Sequence, residues 1–401
     1  MHKKVSLTEL LKTTFYIGVI GYGGPATMVQ MKKIFIQEKK WISESEFMDA
    51  LSLAQILPGA TGVCIIGYVG FKLRKLWGGI LAPLFFILPA GIAITILAWA
   101  YFRFGDIAFA KALFAGLGAL VVALLVNATG VMGKSVFKKI DTRDLKGFLI
   151  SLITFIGVFF LKINVVWLIL LAGLLGLAFY YFTKEFEDEK AISGESLLTE
   201  PAAMKSESLS KKDFFPVWLV TLIFIIGFAI PAIRQLIIAF WGIGMLAFGG
   251  GFTTIPLIQH QIVDVHGWLS IKQFLDGIAM GQITPGPVFI TATFIGYKVA
   301  GILGAIFATL AIFAPSLIAM IALADVHAKI RKLKIVKVII KGFLTGFIGL
   351  LIAVTLQFAF KSLVSWQAWL IFGASLFWLM YLKKDAVWAI LATIILSLVI
   401  F

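Results

Sequence analysis

Residues 23–60 read GGPATMVQMKKIFIQEKKWISESEFMDALSLAQILPGA, and residues 250–287 read GGFTTIPLIQHQIVDVHGWLSIKQFLDGIAMGQITPGP. At a constant offset of 227 the two align without a gap and agree at eleven of 38 positions, among them Gly23/Gly250, Gly24/Gly251, Thr27/Thr254, Trp41/Trp268, Asp49/Asp276, Gln55/Gln282, Pro58/Pro285 and Gly59/Gly286. Chance likeness between apolar helices would fall on Leu, Ile and Val. These matches fall on Gly, Pro, Trp, Asp and Gln, so the chain carries an internal duplication.

Around the repeats the chain is strongly apolar. Of 401 residues, 61% are hydrophobic and 14% charged, with a mean hydropathy of +1.02, against roughly 45–50% and 25% for a soluble domain. Long runs such as 76–102 and 112–132 each suffice as helix for a hydrocarbon layer of about 30 Å. A β-barrel is excluded, because its strands would alternate apolar and polar residues. The reading is an all-α polytopic membrane protein with about 10–13 membrane segments. The first residues carry Lys3, Lys4 and Glu9 and suggest no removable signal peptide. The single cysteine, Cys64, leaves no disulfide framework and no thiolate metal site.

The net charge of +15 does not point to nucleic acid, because the cations gather in short loops between apolar spans, the positive-inside pattern. Residues 184–213 hold eight of the twenty acids and are net −3, leaving +18 for the rest. This segment reads as a solvated linker. The expected division is 1–183, an N-terminal membrane repeat; 184–213, the linker; and 214–401, a C-terminal repeat.

Loop charges orient the halves. In the first, Lys72, Arg74 and Lys75 precede the span 76–102, and Lys134, Lys138, Lys139, Arg143 and Lys146 follow the next span. In the second, the basic cluster Lys329 to Lys341 follows the equivalent span. Matching helices therefore carry their basic loops at opposite ends, and the repeats have inverted topology, as in many secondary transporters with a midplane site between repeats. The first two elements of each half are interrupted, at 21–25 and 58–59 and again at 249–251 and 285–287. They are either broken full spans or re-entrant hairpins; the basic loop 32–46, set against 259–273 with Lys272 beside Asp264, favours hairpins.

Glycine breaks let backbone approach a ligand, and half-helix N-termini favour anions. The expected anion pathway comprises Gly23, Gly24, Thr27, Gln55, Pro58, Gly59, Gly250, Gly251, Thr253, Thr254, Gln282, Thr284, Pro285 and Gly286. Gln55 and Gln282 lie one turn before each Pro-Gly break and would donate amide protons, with the threonine hydroxyls beside them. Asp49 and Asp276, ionisable groups entering membrane spans, are candidates for proton coupling or for interfacial pairing. Trp41 and Trp268 read as interfacial anchors, and Ser43 and Ser270 as helix starts. His260 and His266 have no counterparts in the first half. No Walker lysine, Ser-His-Asp arrangement or metal-ligand spacing is present, so the chain is read as no enzyme, without catalytic residues, metal or cofactor.

These residues resemble the chromate transporter family in its long form with two homologous halves. The marks are Gly21 to Pro25, Trp41 through Phe47 to Gln55 and Gly59, Ile66-Gly67-Tyr68 and Pro89. In the second half they are Phe248 to Gly251, Ile255-Pro256-Leu257, Trp268, Gln282 to Pro287 and Phe294 to Tyr297. The resemblance implies a multi-pass protein of the bacterial inner membrane that expels chromate or, in some members, handles sulfate. It departs from the commoner pattern at Tyr22 and at Ala60 to Cys64. The N-terminus and linker are expected in the cytoplasm. The expected partners are an inorganic oxyanion and the lipid bilayer, with no nucleic acid and with a homodimer left open.

Overall fold

The computed structural model describes residues 5–22, 24–105, 107–137, 145–181, 211–323 and 333–401. Among these residues every regular element is helical, and one isolated bridge, Tyr22 to Gly286, is the sole strand-like pairing. Four of the helices are long and apolar enough to cross a membrane, and six shorter ones are predominantly apolar. The chain is an all-α, multi-pass membrane protein. Linker residues 182–210, Gly23 and the loop cations Lys138, Lys139, Arg143, Lys329, Arg331 and Lys332 lie outside the described residues.

The first half consists of α1 (Leu7–Ile20), α2 (Gly24–Lys32) running on into a π-helical turn (Lys33–Glu38), α3 (Glu44–Ile56), α4 (Thr61–Phe104), α5 (Ala108–Phe137), α6 (Leu145–Phe159) and α7 (Val165–Tyr180). Helix α8 (Phe215–Phe228) joins it to the second. The order then recurs: α9 (Pro231–Leu246), α10 (Thr254–Gln259) with its own π-helical turn (His260–Val265), α11 (Ile271–Ile283), α12 (Thr291–Leu323), α13 (Lys334–Ser362), α14 (Trp366–Met380) and α15 (Ala386–Ile400). Local chemistry repeats with it. Ser43 and Ser270 each accept from the backbone N–H three residues on, while Glu46 and Gln273 accept from the serine N–H in return, which satisfies two of the donors a helix start leaves open. Trp41 is no outward anchor, since it is buried and stacks on Phe35 with centroids 5.8 Å apart.

The interrupted elements are hairpins. Lys39, after the π turn, pairs with Glu9 near the start of α1 at 3.0 Å, and Lys72, at the end of the short first limb of α4, pairs with Glu46 at the start of α3. Both pairs would be tens of ångströms apart along a straight broken helix. In the second half Gly281 faces Thr291 and Gly277 faces Phe294, so α11 and the start of α12 also run antiparallel. The second limb of the second hairpin in each half then turns back sharply. Arg74 (φ −142°, ψ 25°) and Lys75 (φ 51°, ψ −143°) bend α4, and Ala300 (φ −145°, ψ 31°) and Gly301 (φ 59°, ψ −147°) bend α12. Helix crosses helix there without side chains: a Cβ on Gly78 would lie 2.0 Å from the Gly70 carbonyl oxygen, and one on Gly304 the same distance from that of Gly296. Gly79, early in the long limb of α4, faces Ile321, late in that of α12. The two long limbs therefore run antiparallel, as inverted repeats require.

The foot of the second hairpin gives a pH test. Burial pushes the Glu46 carboxyl up, but the Lys72 ammonium and hydrogen bonds from Ser43 outweigh it, and the group titrates below the ordinary carboxylate range. A depressed folded-state value stabilises above the unfolded value and is lost as pH falls through the folded one. Glu46→Gln should thus lower the melting temperature at neutral pH, and the difference from the parent chain should close in acid.

The helices form two groups. The hairpin group comprises α1 to α4 and α9 to α12, joined where α1 packs on α4, α9 on α12, and α4 on α12. The bundle group comprises α5 to α7 and α13 to α15, joined through α5 and α13. Between the groups, α11 packs on α5, α13 and α15, and α10 on α13 and α7. Among the described residues, their counterparts α2 and α3 meet the equivalent bundle helices at one or two points at most.

Candidate functional site

The tips of the hairpins meet across the repeat interface. Gly286 donates its N–H to the Gly21 carbonyl at 2.8 Å, and Gly59 donates to the Ala247 carbonyl at 2.8 Å. The Pro-Gly tip of each half is thus tied to the glycine-rich tip of the other. Both donors occupy backbone reserved for glycine, with φ of 120° at Gly59 and 126° at Gly286. Each also presses on the long limb opposite. A Cβ on Gly59 would lie 2.2 Å from the Ser316 Cβ, and one on Gly286 would lie 2.9 Å from the Ala90 Cβ. Ser316 and Ala90 follow Pro315 and Pro89, the prolines that recur at an offset of 226; the same offset could have singled them out from sequence.

Four half-helices begin at this junction, at Gly24, Thr61, Gly251 and Val288. Gly251 and Val288 touch, since a Cβ on the former would lie 2.9 Å from that of the latter, and Gly250, at φ 104°, has open space beside it. Helix starts leave N–H groups without intrahelical partners, and their positive ends favour an anion. Gln282, one turn before its tip, adds a side-chain donor: its Nε2 is shut off from solvent and has no hydrogen-bond partner. Its counterpart Gln55 is exposed. Pro58 and Pro285 are part-exposed at the tips, Gly24 opens α2, and Gly23 lies outside the described residues.

The threonines have a different task from the one expected. Thr253 donates to the Phe248 carbonyl (2.6 Å), with that of Gly250 also in reach (2.7 Å); Thr254 donates to Gly251 (2.5 Å) and Thr284 to Gly281 (3.3 Å). Their protons are taken by nearby backbone carbonyls, whereas Gln282 Nε2 keeps a donor without a partner. Buried Thr27 packs beside Gly21. The two recurring acids also part company. Asp276 is 3% exposed and accepts from the Tyr101 hydroxyl at 2.7 Å, whereas Asp49 is part-exposed. A cavity of about 510 Å³ opens elsewhere, at the foot of α1 and α2, but Glu9 and Glu38 beside Lys12 and Lys39 suit it poorly to a dianion.

The sequence profile described as chromate transporter matches residues 8–177 and 234–398. The chain belongs to the chromate transporter family. Among its relatives, an uncharacterized transporter of Methanocaldococcus jannaschii is 33% identical over 400 residues, 98% of this chain and 94% of that protein. A chromate transport protein of Cupriavidus metallidurans is 28% identical over 360 residues, covering 90% and 84%, and one of Pseudomonas aeruginosa is 27% identical over 360, covering 88% and 82%. No solved structure matches. As a chromate transporter family member the chain is a membrane transporter, and the two matched regions are the stretches whose hairpin tips interlock.

Proposed function

We propose that the chain exports a tetrahedral oxyanion, chromate, from the cytoplasm of a bacterial cell through the junction of the four hairpin tips. The observation that carries this reading is Gln282 Nε2, a buried donor with no partner one turn before a tip that joins the glycine-rich break of the other half. The feet of the first two hairpins, bearing Lys32, Lys33, Lys39, Lys40, Lys72, Arg74 and Lys75, face the cytoplasm by the positive-inside rule. The N-terminus and the 184–213 linker lie on the same side, between repeats 1–183 and 214–401, and the second half's hairpins open outward. Basic feet raise the local concentration of a dianion at its entrance.

Outward movement of a dianion from a negative cytoplasm releases roughly 4.6 kcal/mol at 100 mV, so export needs neither ATP nor protons. Uptake against that field would require cotransport of more than two protons or other cations, with Asp49 and Asp276 the candidate proton carriers. The test is flux of radiolabelled chromate into inside-out vesicles holding the purified chain. Accumulation should rise with a lumen-positive potential and collapse when the potential is dissipated. Chromate leaving preloaded inside-out vesicles under a proton gradient, with no accumulation under the lumen-positive potential, would reverse the direction, and sulfate flux without chromate flux would change the substrate.

A further inference from the structure

Helices α3 and α11 are counterparts in sequence, capping and place in their hairpins, yet one is covered and the other is not. On α11, Leu275 is 3% and Ala279 2% exposed. At the matching positions of α3, Met48 is 48% exposed and Ser52 is part-exposed, and Gln55 beyond them is open. Ser45, Met48, Ser52 and Gln55 fall on one helical face. Lipid would leave the Gln55 amide unsatisfied, and the counterpart face of α11 is the one toward the bundle group, so this exposed face of α3 calls for a gap wide enough for water between the two groups. The gap lies on the side of the first half's hairpin feet. On the opposite side the groups are closed. Gln259 donates from Nε2 to Gln357 Oε1 at 2.5 Å, and Phe274 meets Phe358 edge to face with centroids 6.0 Å apart. Tyr101 meets Phe114 in the same manner at 5.1 Å.

The Gln259 contact is suited to opening. The residue is 3% exposed, and its Oε1 has no partner. One amide end is held by a hydrogen bond while the other bears an uncompensated desolvation cost, so the contact holds the closed position less firmly than a fully paired amide would. Lys32, at the position matching Gln259, pairs instead with Glu44 at the start of α3, within its own half. We propose that the structure is the inward-open state, that α10 and α11 form the outer gate with Gln259–Gln357 as its latch, and that outward opening exchanges the packing, α2 and α3 closing on the bundle as α10 and α11 leave it. Inverted repeats make two such arrangements close in energy.

The assignment of inner and outer sides rests on the orientation proposed above, but accessibility reads the gate whatever the anion. In a Cys64→Ala background, single cysteines at Ser52 and at its counterpart Ala279 are labelled with a membrane-impermeant thiosulfonate in inside-out and right-side-out vesicles. Ser52→Cys should react in inside-out vesicles, and Ala279→Cys slowly in both. Adding Gln357→Leu should raise Ala279→Cys labelling from outside by about fivefold, the population shift expected from losing one hydrogen bond, and lower labelling of Ser52→Cys. Gln259→Leu should shift both in the same directions. Reciprocal changes with the two vesicle types exchanged would uphold the gate and overturn only the orientation. A rise at both positions, as general loosening gives, or a change at neither would overturn the gate.

Discussion

Gly59→Ala should abolish transport and unfold the protein at markedly lower temperature than the parent chain. Two costs combine at this position. A φ of 120° is open to glycine and strained by about 1–3 kcal/mol for other residues. The new methyl would also stand 2.2 Å from the Ser316 Cβ, and overpacking of that kind costs typically about 1–3 kcal/mol more. Together these rival the whole stability of a marginal protein. Gly286→Ala has the same strain but a milder overlap, 2.9 Å from the Ala90 Cβ, and Ala90→Gly should partly restore it. Gly250→Ala, at φ 104° with nothing within 4 Å, isolates the strain alone and should be the least harmful of the three. Melting curves in detergent beside vesicle flux give the ranking; equal losses in all three would contradict the proposed packing of tip against limb.

The second large effect is expected at Gln282. If its orphaned Nε2 donates to the anion, Gln282→Leu removes a hydrogen bond to a charged group, worth about 1.5–3 kcal/mol and so roughly 10- to 100-fold in apparent affinity. Melting temperature should hold or rise, because an unsatisfied buried donor is removed with the side chain. Gln55→Leu should cost less, since Gln55 is exposed in this state. Loss of stability with unchanged affinity in Gln282→Leu would instead make the amide structural.

Much of this arrangement is legible in the sequence. The repeat at offset 227 marks the breaks, and the lysines of loop 32–46 favour reversal of the hairpins, which Lys39 with Glu9 and Lys72 with Glu46 now fasten. The antiparallel run of α4 and α12 follows from where the basic loops fall. What the sequence hides has two physical causes. A hydroxyl's partner depends on backbone geometry, so Thr253, Thr254 and Thr284 read as ligand donors until the bent carbonyls beside them are seen. A repeat also shows what two halves share, whereas a single conformation makes matched residues unlike. Asp276 is covered and Asp49 part-exposed, and the Gln282 Nε2 is shut off from solvent while Gln55 lies open, although each pair is identical by type.

The exchange of backbone hydrogen bonds between tips, Gly59 to Ala247 and Gly286 to Gly21, bears on biosynthesis. When the ribosome has released only the first half, both of its hairpin tips sit in the membrane with polar backbone groups that no residue of that half satisfies, a costly condition in lipid. The early hairpins can mature only after the chain has been made past Gly286, more than two hundred residues later. Until then they need water or a membrane insertase beside them. A truncation before that point should be cleared by membrane quality control, and the two halves made as separate polypeptides should rescue each other only when present together.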